Sequence, residues 1–162
     1  MTEQIYWEDI EEGDELPSLH KIASSRTLVE WASASNDFNP LHYEDAFAVA
    51  QGVGKPIIHG QLKLAWLVHL VTNWIGEGGF LGKISCRFIA ADYPRLMKTI
   101  TEPEEGEVCL CRGKVISKYR KDGQYCLECE IWVENGSGEK TTTGTALVIL
   151  PSKQEIGWHL KK

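Results

Sequence analysis

Two hydrophobic rhythms divide the chain. Between Gln61 and Ile75 the residues Leu62, Leu64, Ala65, Trp66, Leu67, Val68, Leu70, Val71, Trp74 and Ile75 cover nearly the whole circumference of a helix, interrupted by Lys63, His69 and Asn73. A helix that is apolar on most sides is one surrounded by protein, and this one falls short of the ~20 apolar residues that span a bilayer. From Phe80 onward the pattern is that of strands, predicted over 81–91, 108–119, 125–134 and 140–150. Asp122-Gly123 and Asn135-Gly136 lie between the last three. Both dipeptides tolerate positive φ and signal hairpins, so these strands should form an antiparallel meander.

The first half is helical. After a turn at Gly13-Asp14, a short strand is expected over 19–24, and Ser25 is a candidate N-cap for a helix carrying Leu28, Val29 and Trp31. That helix must stop before Asn39-Pro40, because the residue before proline is pushed out of the helical region. A second helix is expected over 43–50, closed by Gly52 and Gly54, with Lys55-Pro56-Ile57-Ile58 as a short extended approach to Gly60. Helices followed by strands imply an α+β chain. One central apolar helix and an antiparallel sheet fit a sheet wrapped around a helix, the hot-dog fold. The length and the absence of repeats or linkers imply a single domain over 1–162. The meander leaves strand edges, and the helix needs cover, so a homodimer or higher oligomer is expected.

Composition narrows the partners. A net charge of −6 with scattered lysines and arginines offers no basic face, so nucleic acid is not expected. The opening residues MTEQIYWEDI do not have the form of a signal peptide. Five cysteines, Cys86, Cys109, Cys111, Cys126 and Cys129, are an odd number, so a disulfide framework is disfavoured and a reducing, cytoplasmic setting is expected without membrane insertion. Cys126-Leu-Glu-Cys129 resembles a metal or redox CxxC, yet in a strand positions i and i+3 face opposite sides. With Asp122-Gly123 as a two-residue loop, Cys126 should pair near Tyr119 and Cys129 near Ile116, both far from Cys111. No metal site is expected.

Chemistry concentrates in Asn36-Asp37-Phe38-Asn39-Pro40-Leu41-His42-Tyr43-Glu44 and, after a short helix, Ile58-His59-Gly60. An Asp and a His five residues apart across a proline-stiffened loop can converge on one point. A bland reading stands beside this: Asp37 caps a turn, Asn39-Pro40 breaks a helix, and His42 is a loop residue. The combination, however, resembles the MaoC-like dehydratases, which include (R)-specific enoyl-CoA hydratases. The likeness runs from Trp7-Glu8-Asp9-Ile10 and Gly13-Asp14 through Asp37-Phe38-Asn39-Pro40-Leu41-His42, Phe47-Ala48, Gly54-Lys55-Pro56 and His59-Gly60. It implies a hot-dog fold, an acyl-CoA type thioester substrate, no cofactor, and Asp37 and His42 as the catalytic pair.

Hydration of a 2-enoyl thioester needs a base to take a proton from water as it attacks C3, and a proton delivered to C2. A carboxylate and an imidazole sharing one water can do both, whichever of Asp37 and His42 leads. Negative charge develops on the thioester oxygen, which calls for a donor fixed in advance. Gly60, at the expected start of the apolar helix, offers its N–H there as the oxyanion hole. Asn39 and His59 are candidates for substrate binding or loop support. His20, His69 and His159 have no comparable context, and Trp31, Trp66 and Trp74 read as packing.

The likeness departs at Asn36, where many members carry glycine, at Gln61 in place of a frequent Met, and at Val68, where some (R)-hydratases carry Ser. It departs again over Ala90-Ala91-Asp92-Tyr93-Pro94-Arg95 and Glu102-Pro103-Glu104-Glu105-Gly106. Lys83, Arg87 and Arg95 are candidates to meet the coenzyme's phosphates. Two other readings stay open: a hot-dog acyl thioesterase attacking C1, and an acyl-thioester-binding subunit of a hetero-oligomeric dehydratase.

Overall fold

The computed structural model describes residues 4–100 and 107–154; the 102–106 segment and His159 lie outside the described residues. The elements follow in the order β1 (Leu19–Ala23), α1 (Ser25–Ser35), α2 (Asp45–Ala50), α3 (Gly60–Ile75), β2 (Phe80–Phe88), β3 (Glu107–Lys121), β4 (Gln124–Glu134) and β5 (Lys140–Ile149). The five strands form one antiparallel sheet in the order β1-β3-β4-β5-β2. The α+β hot-dog arrangement and the β3-β4-β5 meander are both present.

The core lies between α3 and the inner face of the sheet. Leu62, Trp66, Leu67, Leu70, Val71, Trp74 and Ile75 of α3 pack against Cys109, Cys111 and Val115 of β3, Leu127, Cys129, Ile131 and Val133 of β4, and Ala146 and Val148 of β5. Alternation explains β4, where Glu128 and Glu130 are exposed between buried neighbours. The helix is not enclosed on all sides, which corrects the expectation from its composition. Gln61, His69 and Thr72 are exposed and Ala65 and Val68 half-buried. Spacings of three and four place these residues on one stripe turned away from the sheet.

Local chemistry sets the boundaries. The N-cap of α1 is Ser24, one residue before the expected Ser25, because Ser24 and Thr27 form a reciprocal capping box. Asn36 closes α1 in the left-handed conformation with φ 59°, a role that asparagine tolerates. Asp122-Gly123 forms the expected two-residue hairpin with φ 50° and 80°. Asn135-Gly136 does not: the Asn135 side chain instead accepts the N–H groups of Ser137 and Glu139, and the positive φ falls on Gly138. Cys126 pairs with Tyr119 as expected, but Cys129 pairs with Val115, because a bulge at Ile116 shifts the register by one.

Candidate active site

The site is built where α1 ends and α3 begins. Asn39 Oδ1 accepts the Leu41 N–H at 3.0 Å, capping the 3-10 turn Pro40–His42. Asp37 Oδ1 receives the Asn39 N–H at 3.4 Å, so the carboxylate does take part in a turn. The extended 56–58 segment is laced to this turn twice, by Ile57 N–H to Leu41 O at 3.3 Å and by His42 Nδ1 to Ile57 O at 2.7 Å. A carbonyl only accepts, so His42 carries its proton on Nδ1, which leaves Nε2 to take or hold a second one.

His59 is 1% exposed and lies under His42, with ring centroids 3.6 Å apart and planes 19° from parallel. Its Nε2 donates to the Asp37 backbone carbonyl at 3.3 Å, tying the start of α3 to the Asp37–His42 loop. Burial, seconded by the neighbouring His42, holds its pKa below 6.5, against the opposing effect of Asp37. A neutral His59 therefore supports the site without competing for its proton. Gly60 is the first residue of α3, and its N–H belongs to the turn that has no intrahelical acceptor. Its backbone is helical, so it is not a turn glycine. What it provides is closeness, since a Cβ there would lie 2.8 Å from Cδ2 and Cε2 of Phe88.

Beside the histidines is a cavity of about 230 Å³ lined by Leu28, Val29 and Ala32 of α1 and by Phe38, His42, Tyr43 and His59. The Tyr43 hydroxyl is engaged by the Phe38 carbonyl at 2.9 Å, so both aromatic residues present rings to it. In the sequence Leu28 and Val29 marked only a helix, and the exposed Phe38 and Tyr43 gave no pattern by which to find the cavity.

One atom each from Asp37, His42 and His59 lie within 4.8 Å of one another, the spacing of a metal cluster. Ring lone pairs lie in the ring plane, and two stacked rings aim them along parallel planes rather than at one ion. The set is a poor metal cradle. The cysteines do not supply one either. All five are free, and burial pushes the thiols of Cys111 and Cys129 up to about 12 and that of Cys109 higher still. His20 is exposed on β1, and His69 Nδ1 accepts from Lys21 at 2.8 Å, away from the site. Lys83 and Arg87 are exposed on β2.

Missed from sequence is a buried group beneath Gly60. Lys63, 2% exposed, donates to Asp92 Oδ2 at 2.8 Å and to the Ala90 carbonyl at 3.0 Å; Thr141 donates to the same Asp92 oxygen at 2.7 Å. The available signal was two opposite charges, each set in an apolar run.

Comparison with known proteins agrees with the fold. The model of the MaoC like domain matches residues 13–95, just over half of the chain. The (R)-specific enoyl-CoA hydratase of Aeromonas caviae is 36% identical over 59 residues, which is 36% of this chain and 41% of that protein. The structure of the A. caviae (R)-hydratase involved in PHA biosynthesis superposes with a TM-score of 0.71 at 25% identity, covering 88% of this chain and 98% of that one. A MaoC-like dehydratase from Rhodospirillum rubrum shares the fold with a TM-score of 0.76 at 15% identity, over 92% of this chain and 98% of its own. Among the described residues no helix is long and apolar enough to cross a membrane.

Proposed function

The chain belongs to the MaoC-like family, and from that premise we propose that it is a lyase adding water to, or removing it from, a 2-enoyl thioester, with Asp37 and His42 as the acid–base pair. The observation that carries the proposal is His42 itself. Its Nδ1 is committed to Ile57 O and its other nitrogen is left for a proton; a carboxylate oxygen of Asp37 and a ring nitrogen of His42 lie within 4.8 Å of each other, and the His42 ring lines an apolar cavity.

In the hydration direction, a water between the Asp37 carboxylate and His42 Nε2 loses a proton as its oxygen attacks C3, and the same pair returns a proton to C2. The thioester oxygen, which gains charge on the way, takes the Gly60 N–H, helped by the positive end of α3. The acyl group enters the cavity between α1 and the Phe38–Tyr43 loop, whose walls give no partner for a charged or hydroxylated tail. Asn39 and His59 hold the two ends of this loop and act by position. The coenzyme end of the thioester remains outside, and no cofactor enters the reaction.

The test is the loss of enoyl absorbance on a panel of 2-enoyl-CoA thioesters. The purified chain is expected to hydrate at least one of them, and Asp37→Asn and His42→Ala, with folding intact, to lose about 10²–10⁴-fold in kcat/KM. Activity that survives both substitutions would place the chemistry elsewhere. Release of free thiol without hydration would reassign the chain as a thioesterase, and activity only after a second chain is added would make it one half of a hetero-oligomer.

A further inference from the structure

The peptide unit that orients His42 is gripped from both sides. Its carbonyl, Ile57 O, accepts His42 Nδ1–H at 2.7 Å, and its N–H, that of Ile58, donates to the Asp92 backbone carbonyl at 2.8 Å. Hydrogen bonds in such a chain polarise one another, and a carbonyl whose own N–H is engaged becomes the better acceptor. The imidazole is thus held at second hand by the position of Asp92.

That position is set by charge. The Asp92 carboxylate is buried, 1% exposed, and is held by Lys63 Nζ at 2.8 Å and Thr141 Oγ1 at 2.7 Å, while its Oδ1 has no hydrogen-bond partner among the described residues. Lys63 is in the first turns of α3, three residues after Gly60, and also takes the Ala90 carbonyl. Thr141 on β5 accepts the Ile89 and Ala90 N–H groups through its own backbone carbonyl at 2.9 and 3.1 Å. The 89–92 turn is therefore clamped between the helix that begins at Gly60 and the sheet. A buried ion pair is a costly way to hold two elements together, and one apolar pair could replace it. What a charge pair adds is a fixed register.

We propose that Lys63, Asp92 and Thr141 are positioning residues for catalysis: through the 57–58 peptide they hold the His42 imidazole in its Nδ1–H tautomer and aim it at the site. The catalytic consequence rests on the proposed hydratase reading; the tautomer does not. His42 is faced by Asp37 and His59, and neither substitution below touches those groups.

The test uses the full chain with 15N-labelled histidine and the double variant Lys63→Met/Asp92→Asn, which removes both charges together and so leaves neither one buried alone. Thr141→Val is the milder companion. The parent is expected to show the two unlike ring-nitrogen shifts of a fixed Nδ1–H tautomer at His42. In the folded double variant the shifts converge as the tautomers mix, and kcat falls about tenfold or more with KM changed by less than about twofold. Thr141→Val moves both readouts the same way by less. A folded double variant with unchanged His42 shifts and unchanged kcat overturns the proposal, and if that variant does not fold, unchanged readouts in Thr141→Val overturn it. Should the parent hydrate no enoyl thioester, the functional reading fails, and the tautomer comparison still decides this one.

Discussion

Gly60→Ala separates the two uses that a glycine can have at the start of α3. A methyl placed there sits 2.8 Å from two carbons of the Phe88 ring, well inside the ~3.5–4.0 Å at which carbon atoms attract. Overpacking of this kind costs about 1–3 kcal/mol, and the better helix propensity of alanine returns at most about 1 kcal/mol. Phe88 is 45% exposed and stands at the end of an edge strand, so its ring can turn outward and keep the net loss near the bottom of that range. At about 2–4 °C per kcal/mol for a domain of this size, Tm should fall by no more than about 8 °C, and the protein should remain folded at 25 °C. Activity should respond far more, because the methyl occupies the approach to the Gly60 N–H. Displacing the thioester oxygen by about 1 Å costs about 100-fold in kcat/KM. The assays are thermal unfolding and enoyl-CoA hydration, on Gly60→Ala, Phe88→Ala and the pair together. Removing the ring should restore Tm to the pair and leave its activity low. Hydration within about twofold of the parent in Gly60→Ala, or recovery in the pair to the level of Phe88→Ala alone, would mean that the glycine exists to seat Phe88, and would refute the oxyanion assignment.

Two further outcomes follow from the same geometry. Because burial holds the His59 pKa below 6.5, the unfolded chain takes up a proton that the folded one refuses as pH drops through about 6.5, so His59 contributes stability above that pH and loses it below, down to its folded value. Tm should decline between pH 7 and 5 and decline less in His59→Gln; identical slopes in the two proteins would contradict this. Among the described residues the nine-residue edge strand β2 pairs only with β5, and it carries exposed Phe80 and Phe88, followed by exposed Ile89. We propose that a second copy covers this edge, and sedimentation should give twice the 18.2 kDa of the chain; a monomer mass independent of concentration would reject it.

The sequence by itself determined the elements and the chemical inventory. A run apolar around most of a helix located α3, and strand-like apolar runs joined by the turn signals Asp122-Gly123 and Asn135-Gly136 located the β3-β4-β5 meander, because a strand buried against a single layer imposes a spacing of 2 on its apolar residues. Asp37, Asn39 and His42 could be singled out as candidates because their loop resembles that of the MaoC-like dehydratases, whereas the spacing across Pro40 by itself also fits a turn cap, and Gly60 because it opens a helix. The register beyond the Ile116 bulge and the left-handed residue at Gly138 could not be read. Each depends on how a backbone group finds a partner on the neighbouring strand, and several residue types satisfy that equally well.

Tertiary structure alone decided what lies between distant segments. The stacking of His42 on His59 and the Phe88 ring against Gly60 join residues far apart in the chain, and the cavity between α1 and the Phe38–Tyr43 loop is completed by His59 from beyond α2. Lys63 and Asp92 are the plainest case, 29 positions apart. In the sequence each is a charge interrupting an apolar run, and only the closure of α3 onto the sheet makes the two answer each other, because a charge is tolerated in that interior when its counter-ion is brought to hydrogen-bonding distance.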